Sequence, residues 1–327
     1  MINRKLIRIK IVQLVYAYYQ NGSKNLDSAE KDLLLSLSKA YQLYNYLLLL
    51  IVAITKEEAH RVSIGLQRAK REGMEEPSEK FVENRFAAQL ADNKMLNKFV
   101  EMQHLSWDDS IEFVRKMCSL IEQSDIYAEY MQSEVSSYEA DKELWRKIYK
   151  QFIQDNTDLD SLLEEKSIYW NDDKEVVDTF VIKTIKRFEE KAQADQVLLE
   201  EYKDEDDREF AIRLFRATIL NQEQYHRYMS ETSRNWDFSR LAYMDVIIMQ
   251  IAIAEMMTFP NIPISVTINE YVELAKFYST PKSGSYINGM LDAIARHLIK
   301  SNMLLKSIDD RKAKTPKGEA NEDNTDI

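Results

Sequence analysis

Residues 263–298 read PISVTINEYVELAKFYSTPKSGSYINGMLDAIARHL. Apolar side chains recur every three or four residues on both sides of a polar break, which predicts helices at about 268–278 and 285–303. Thr267 and Glu270 have the spacing of a capping box, in which two side chains satisfy free backbone amides at the start of a helix. The stretch therefore predicts a helix, a short polar loop and a second helix.

The same helical spacing continues through most of the chain. No proline lies between Pro77 and Pro260, and no glycine occurs from Met74 to Ser283, so helix breakers are absent from the middle of the sequence. Further helices are predicted at about 4–19, 26–71, 79–103, 107–133, 139–154, 172–202, 206–229 and 238–257. The predicted fold class is all-α, and the polar tail 306–327 is expected to be disordered because it cannot bury enough apolar surface.

Several features favour a cytosolic globular protein. The most apolar run, Tyr41–Ile54, is interrupted by polar residues and is too short for an ordinary transmembrane helix, so it is predicted to be a buried core helix. Trp107, Trp145 and Trp170 are predicted to anchor the core, since large aromatic side chains in helical patterns usually pack inside. The only cysteine, Cys118, cannot form an intrachain disulfide, and the N-terminus lacks the apolar segment of a secretory signal.

The charge is distributed unevenly. A net charge of −11 weighs at first against nucleic-acid binding, because an acidic surface repels phosphate. Residues 1–20, however, carry +4 without any acidic residue, whereas residues 205–305 carry −2 and residues 21–204 carry −12. Most of the acidity therefore lies in the middle of the chain, which leaves the basic N-terminus free to bind an anion.

Cations and aromatic rings together indicate an RNA-binding surface. Arg4, Lys5 and Arg8 occupy one arc of roughly 100° on the first predicted helix, which by itself indicates no more than a solvated face. Single-stranded RNA is commonly held by cations on its phosphates and by rings beneath its splayed bases. Rings occur later in the same helix and around the polar loop that contains Lys282, namely Tyr16, Tyr18, Tyr19, Phe277, Tyr278 and Tyr286.

An enzymatic function has one candidate pattern. Glu-x-x-His spacing occurs three times, at Glu57/His60, Glu101/His104 and Glu223/His226, and two such pairs with two further glutamates form di-iron sites in helical bundles. The same spacing arises readily from surface ion pairs in a chain with 55 acidic residues. Phosphate-binding glycine loops and nucleophile motifs are absent from the sequence. We therefore predict a non-enzymatic protein with no cofactor or metal, and the di-iron enzyme is the alternative from a different class.

Residues 241–297 resemble the NusB family closely. The family pattern V-x-I-N-E-x-x-E-L-A-K, then a polar loop, an aromatic residue and N-G-x-L-D, is matched here by residues 266–276, Tyr286 and residues 288–292. The segment IVQLVYAYYQ, residues 11–20, is similar to the family's first helix, whose start is arginine-rich. Two departures are that Gln250 stands where many members carry arginine and that Leu6 replaces a usual basic residue.

The resemblance implies a NusB-like helical bundle with an additional inserted helical subdomain. Residues 1–20 and 205–305 would form the RNA-binding core, and residues 21–204 would form the acidic helical insertion, with its own core. With this insertion the chain resembles the long NusB proteins of Bacteroidetes-type bacteria.

The resemblance also implies a function and a set of site residues. It implies a transcription antitermination factor that, with the ribosomal protein NusE, binds boxA-type single-stranded RNA of ribosomal RNA transcripts in the RNA polymerase antitermination complex. The candidate RNA-binding residues are Arg4, Lys5, Arg8, Tyr16, Phe277, Lys282 and Tyr286. Asp245, which matches an acidic position of the family's partner-facing helix, is the candidate contact to NusE. The alternative with the same fold is a detached RNA-targeting module, like the NusB-like domains that precede ribosomal RNA cytosine methyltransferases. The sequence leaves open whether the protein forms a homodimer.

Overall fold

A computed structural model describes residues 1–22, 25–170, 172–232 and 241–304. Within these ranges the regular elements are helices, apart from one isolated parallel bridge between Ile2 and Tyr202. The α-helices are α1 (Arg4–Gln20), α2 (Leu26–Glu72), α3 (Arg85–Ala91), α4 (Lys94–Gln103), α5 (Ile111–Glu122), α6 (Asp125–Gln132), α7 (Tyr138–Ile148), α8 (Thr157–Lys166), α9 (Lys174–Arg187), α10 (Glu205–Leu220), α11 (Gln222–Thr232), α12 (Tyr243–Thr258), α13 (Ile264–Tyr278) and α14 (Ser283–Lys300). The prediction of an all-α fold is confirmed.

The chain divides into two compact units. The first unit comprises Met1–Leu6 and Leu34–Asp207, and the second unit comprises Ile7–Leu33 and Arg208–Ile327. Their borders fall inside α1, α2 and α10, whereas the sequence suggested changes after residues 20 and 204. The tail 306–327, for which we predict disorder, lies outside the described residues.

Helix α2 supplies much of the core of the first unit. Its apolar run includes Leu43, Tyr44, Leu47 and Ile51, which are fully buried, so the prediction of a core helix is confirmed. By length and composition α2 could cross a membrane, but 67% of its most apolar window is buried. Burial on this scale is typical of a helix inside a globular core.

Aromatic stacking completes that core. The ring of Tyr46 stacks on Trp107, with centroids 4.2 Å apart, and on Trp170, with centroids 5.5 Å apart. Trp145 is fully buried beside Phe81, with ring centroids 5.6 Å apart. The predicted role of the three tryptophans as core anchors is confirmed, because none of them is more than 5% exposed.

The long helices predicted for the first unit are shorter in the structure. The segment 79–103 contains two helices, α3 and α4, because the side chain of Asn93 accepts a hydrogen bond from the backbone amide of Leu96 at 3.0 Å and starts α4. Ser124 and Ser137 cap α6 and α7 in the same way. Short polar side chains at these positions compete with helix continuation, although the apolar spacing runs on across them.

Helix α12 lies at the centre of the second unit. It is buried from Ile247 to Met256 and packs against α11, α13 and α14. Helix α13 begins directly after Pro263, earlier than predicted, so the capping box at Thr267 does not form. Instead, the hydroxyl of Thr267 is buried and donates to Oε1 of Glu255 at 2.8 Å.

A buried carboxyl group gives the first unit a pH dependence that can be measured. Burial, followed by the hydrogen bond and the charge of Glu122, raises the pKa of Glu58 from 4.5 to about 7. The folded protein therefore holds this proton more tightly than the unfolded chain, so the contribution of Glu58 to stability falls as the pH rises from 4.5 to about 7.

We expect Glu58→Gln to raise the free energy of unfolding by about 1–3 kcal/mol at pH 8 and to change it little at pH 4, because glutamine resembles the protonated acid. Thermal unfolding across this pH range measures the effect. Glu112→Gln is the matched control, since the Glu112 side chain is 84% exposed. Equal shifts for both variants at pH 8 would contradict the assignment.

Candidate nucleic-acid interface

The loop between α13 and α14 is held by one buried carboxylate. Asp245, in the first turn of α12, accepts hydrogen bonds from the hydroxyl of Ser279 at 2.5 Å and from that of Ser283 at 3.0 Å. Ser283 is itself buried and lies 2.8 Å from the hydroxyl of Thr280. The prediction that Asp245 contacts NusE is therefore wrong for its carboxylate, because Asp245 is only 5% exposed and both its oxygens bond within the unit.

We expect Asp245→Ala to lower the free energy of unfolding of the second unit by about 1–3 kcal/mol, because the buried hydroxyl of Ser283 and the half-buried hydroxyl of Ser279 lose their acceptor. Denaturant unfolding measures the change. Asp292→Ala is the control: Asp292 pairs with Arg296 at 2.8 Å on the exposed face of α14, and such pairs contribute about 0.3–0.5 kcal/mol. If the two substitutions had the same cost, Asp245 would not anchor the loop.

Aromatic side chains are exposed around this loop. Tyr16 of α1 and Tyr243 of α12 meet edge to face, with ring centroids 5.9 Å apart, and they are 41% and 47% exposed. At the end of α13, Phe277 is 70% exposed, and the side-chain amide of Gln13 donates to the hydroxyl of Tyr278 at 3.1 Å. That bond links α1 to the end of α13, so all these rings lie at the loop end of the second unit.

We call Tyr16, Tyr243, Phe277, Lys282 and Tyr286 the loop surface. Lys282 is exposed and Tyr286 is half-buried. Four of these residues are among those predicted from the sequence, and the structure brings them to the same end of one unit. Tyr243 was missed because its partner Tyr16 lies far away in sequence. Its place at the start of the buried helix α12 was the available signal.

Arg8 does not belong to this surface, and the prediction that it contacts phosphate is wrong. Arg8 is only 4% exposed, and its guanidinium donates to Glu255 through Nε at 2.8 Å and through Nη2 at 2.9 Å. Its Nη1 reaches Glu270 at 3.2 Å. Residues 7–12 are all buried. In the sequence the cations at positions 8 and 10 alternate with aliphatic residues, and this pattern already indicated that Arg8 does not lie on a solvated face of the helix.

The charges of Arg8 and Glu255 balance each other inside the second unit. Burial alone would lower the pKa of Arg8, but the hydrogen bond and the charge of Glu255 together outweigh burial and raise it. Glu255 is fully buried and also accepts hydrogen bonds from the hydroxyls of Thr267, at 2.8 Å, and Tyr271, at 3.0 Å. The group therefore joins α1, α12 and α13 and is not available to a ligand.

Gln250, at the position where the family resemblance leads us to expect arginine, has hydrogen-bond partners for both ends of its side-chain amide. Its amide nitrogen donates to the hydroxyl of Tyr19 and to the carbonyl of Thr218, both at 2.8 Å. Its side-chain oxygen lies 3.0 Å from Nε2 of His226. The substitution thus leaves a hydrogen-bonded polar group at the centre of the unit.

Arg4 and Lys5 belong to the first unit and are both exposed. Nε of Arg4 lies 3.4 Å from Oδ1 of Asp207, and the Arg4 side chain remains 44% exposed. Both cations are therefore accessible to an anion on the first turn of α1, and their predicted phosphate contacts stay predictions.

The Glu-x-x-His pairs do not form a metal site. In the parts of the chain that the structure describes, no three His, Cys, Asp or Glu side chains are grouped so that they could hold a metal ion. Glu57 pairs with Arg115 at 3.1 Å, and His226 is bonded to Gln250. The di-iron alternative therefore has no support from the structure.

Comparison with known proteins identifies the relatives of this chain. Residues 174–296 match the NusB family model. A transcription antitermination protein NusB from Salinibacter ruber is 36% identical over 100 residues, which are 31% of this chain and 62% of that protein. One from Acetivibrio thermocellus is 40% identical over 99 residues, which are 30% of this chain and 68% of that protein. Several of the curated relatives are thus matched over about three fifths of their length.

A solved structure of T. maritima NusB shares 32% identity with this chain. The alignment covers 36% of this chain and 82% of that one, with a TM-score of 0.28. The assignment rests on the sequence matches, which cover more than two thirds of the Acetivibrio thermocellus relative. From this match and the family motif in α13 and α14, the chain belongs to the NusB family.

Proposed function

We propose that this protein is a cytoplasmic transcription antitermination factor that binds boxA-type single-stranded RNA of ribosomal RNA transcripts together with NusE. Its matched relatives carry the name transcription antitermination protein. The proposed activity is binding within the RNA polymerase antitermination complex, so it has no chemical step and needs no cofactor.

The loop surface is the observation that carries this proposal. Three of its rings, those of Tyr16, Tyr243 and Phe277, are at least 41% exposed at one end of a single unit. Exposed apolar surface that clusters in one place often marks a binding site, and a nucleic-acid base can stack on each exposed ring. Lys282 adds a cation for the phosphate backbone. Such a combination of rings and charge is typical of surfaces that bind single strands.

The buried carboxylate of Asp245 supports the same interpretation. It fixes the two serines that flank the loop, so the rings and Lys282 are presented by a backbone with a defined shape. A site held in place before binding loses less conformational entropy when the ligand arrives. Arg4 and Lys5, which are exposed on α1, are proposed as additional phosphate contacts.

A binding titration tests the proposal. Fluorescence anisotropy would compare a labelled boxA-type RNA with a scrambled RNA of the same composition, using the full chain, NusE, and both together. We expect the mixture to bind boxA-type RNA at least about tenfold more tightly than either protein alone, a gain of about 1.4 kcal/mol. The scrambled RNA should show no such gain. Equal affinity for the two RNAs in every mixture would refute the proposal.

A further inference from the structure

Helices α7 and α9 of the first unit lie side by side and run in opposite directions. The hydroxyl of Tyr149, just after α7, donates to Oδ1 of Asp178 in α9 at 2.6 Å. Towards the other end of the pair, Nζ of Lys142 donates to the carbonyl of Phe188 at 3.1 Å. The last turn of α9 is therefore next to the first half of α7.

Five cations are exposed on this pair of helices. Lys183, Lys186 and Arg187 fall within an arc of roughly 100° on α9, and all three are exposed. Lys147 is exposed on α7 and Lys150 one turn later. Within the described ranges, none of the five has a carboxylate oxygen within 4.0 Å. We call these five residues the α7–α9 face.

Four acidic residues around this face are already paired with other cations, whereas Glu175 at the start of α9 is exposed and has no cation within 4.0 Å among the described residues. The pairs are Glu139 with Lys142 at 2.8 Å, Glu143 with Arg146 at 2.6 Å, Glu189 with Lys191 at 2.9 Å and Glu190 with Arg85 at 3.3 Å. The five cations are thus in excess over the local acids. This excess is notable because residues 21–204 carry −12 in total.

Cations of both helices act on the carboxylate of Glu143. The hydrogen bond from Arg146 is the main cause that lowers the pKa of Glu143, and the charges of Arg146, Lys147 and Lys186 lower it further. Lys147 of α7 and Lys186 of α9 therefore act on the same carboxylate. Together with the antiparallel packing of α7 and α9, this puts Lys147 and Lys186 on the same side of the helix pair.

Helix stabilisation accounts for only part of this surface. Cations in the last turn of a helix interact favourably with its dipole, which explains Lys147 on α7 and Lys186 and Arg187 on α9 at about 0.3–1 kcal/mol each. The effect fades beyond one turn, so it gives no reason for Lys183 in the middle of α9. A ligand with several negative charges would interact with all five cations.

We propose that the α7–α9 face binds the phosphate backbone of RNA without reading its sequence. Beside its three cations α9 exposes Glu175 and Thr179, and the nearest ring on that helix, Phe180, is half-buried. Cations therefore predominate among the exposed groups of α9, with no fully exposed ring to receive a base. Cations recognise phosphates, which carry no base information. The proposal goes beyond the function inferred above, on which it rests only for the identity of the polyanion.

The salt dependence of binding to poly(U) RNA tests this proposal in the full chain. We expect the triple variant Lys183→Gln, Lys186→Gln, Arg187→Gln to bind poly(U) more weakly, with the slope of log K against log salt reduced by about 2. Each phosphate that a cation neutralises on a single strand contributes about 0.7 to that slope. Circular dichroism would verify that the variant is folded.

Lys56→Gln, Lys70→Gln, Lys98→Gln is the matched control, because it removes the same charge from three other exposed lysines of the first unit. If both triple variants had the same slope as each other, or if the first kept the slope of the unmodified chain, the proposal would be overturned. Competition by poly(glutamate) as strong as that by poly(U) at equal charge would overturn the assignment to RNA.

The two proposals fail in different ways. If the chain shows no preference for boxA-type RNA but the poly(U) slope still depends on the α7–α9 face, the proposed function fails and this inference stands. If boxA preference is present and the triple variant leaves the poly(U) slope unchanged, this inference alone fails.

Discussion

Arg8→Met is expected to lower the free energy of unfolding by about 3–5 kcal/mol, because it leaves the fully buried carboxylate of Glu255 without its cation. The loss should appear in chemical unfolding at neutral pH. The double variant Arg8→Met, Glu255→Met should recover most of it, since two apolar side chains can replace a buried ion pair without leaving a charge unpaired.

Arg4→Met provides the control for that experiment. Arg4 is on the same helix, but its pairing with Asp207 is partly exposed, at 3.4 Å, and exposed pairs contribute about 0–1 kcal/mol. If Arg8→Met lowered the free energy of unfolding no more than Arg4→Met does, the buried pair would not stabilise the fold. Any loss of RNA binding in an Arg8 variant is expected to follow from the loss of stability.

The contrast between Arg4 and Arg8 shows where the sequence was sufficient and where it was not. Helical spacing placed both cations on one arc, but spacing alone does not say how wide the buried side of a helix is. The burial of Arg8 depends on Glu255, which lies far away in sequence and reaches it through the packing of α1 against α12. The sequence does place Glu255 inside the apolar pattern of α12, and a buried carboxylate requires a cation as its partner.

Elsewhere in the fold, too, features set by local spacing were predicted, whereas features that depend on caps or on distant contacts were missed. Helices α13 and α14 were predicted within a few residues because their apolar spacing is regular. The helices of the first unit were predicted too long, because Asn93 and Ser124 cap new helices within a continuous pattern. The loop surface was only partly predicted, since the contact between Tyr16 and Tyr243 joins residues that are far apart in the sequence. Asp245 was misassigned because its two serine partners come from the loop after α13.

The double variant Tyr16→Ala, Phe277→Ala is expected to weaken binding of boxA-type RNA by about 2–6 kcal/mol, since a base stacked on an aromatic ring contributes about 1–3 kcal/mol. The salt dependence should stay unchanged, because neither substitution removes a charge. Lys282→Gln should do the opposite, with a small loss of affinity and a slope reduced by about 0.7. Anisotropy titrations at several salt concentrations separate the two effects.

Leu220→Ala is the control for the double variant. Leu220 is 67% exposed in the same unit, at the end of α10, so its truncation removes exposed apolar surface without removing a ring. If this control weakened binding as much as the loss of Tyr16 and Phe277, the contribution of base stacking would be disproved.

Photo-cross-linking is the most direct test of the claim that the loop surface receives the bases of the RNA. A boxA-type RNA carrying 5-iodouridine would be irradiated with the full chain and NusE, and the cross-linked residues would be identified by mass spectrometry. We expect cross-links to Tyr16, Tyr243 or Phe277. Cross-links found only on other residues of the chain, with all three of these rings unmodified, would contradict it.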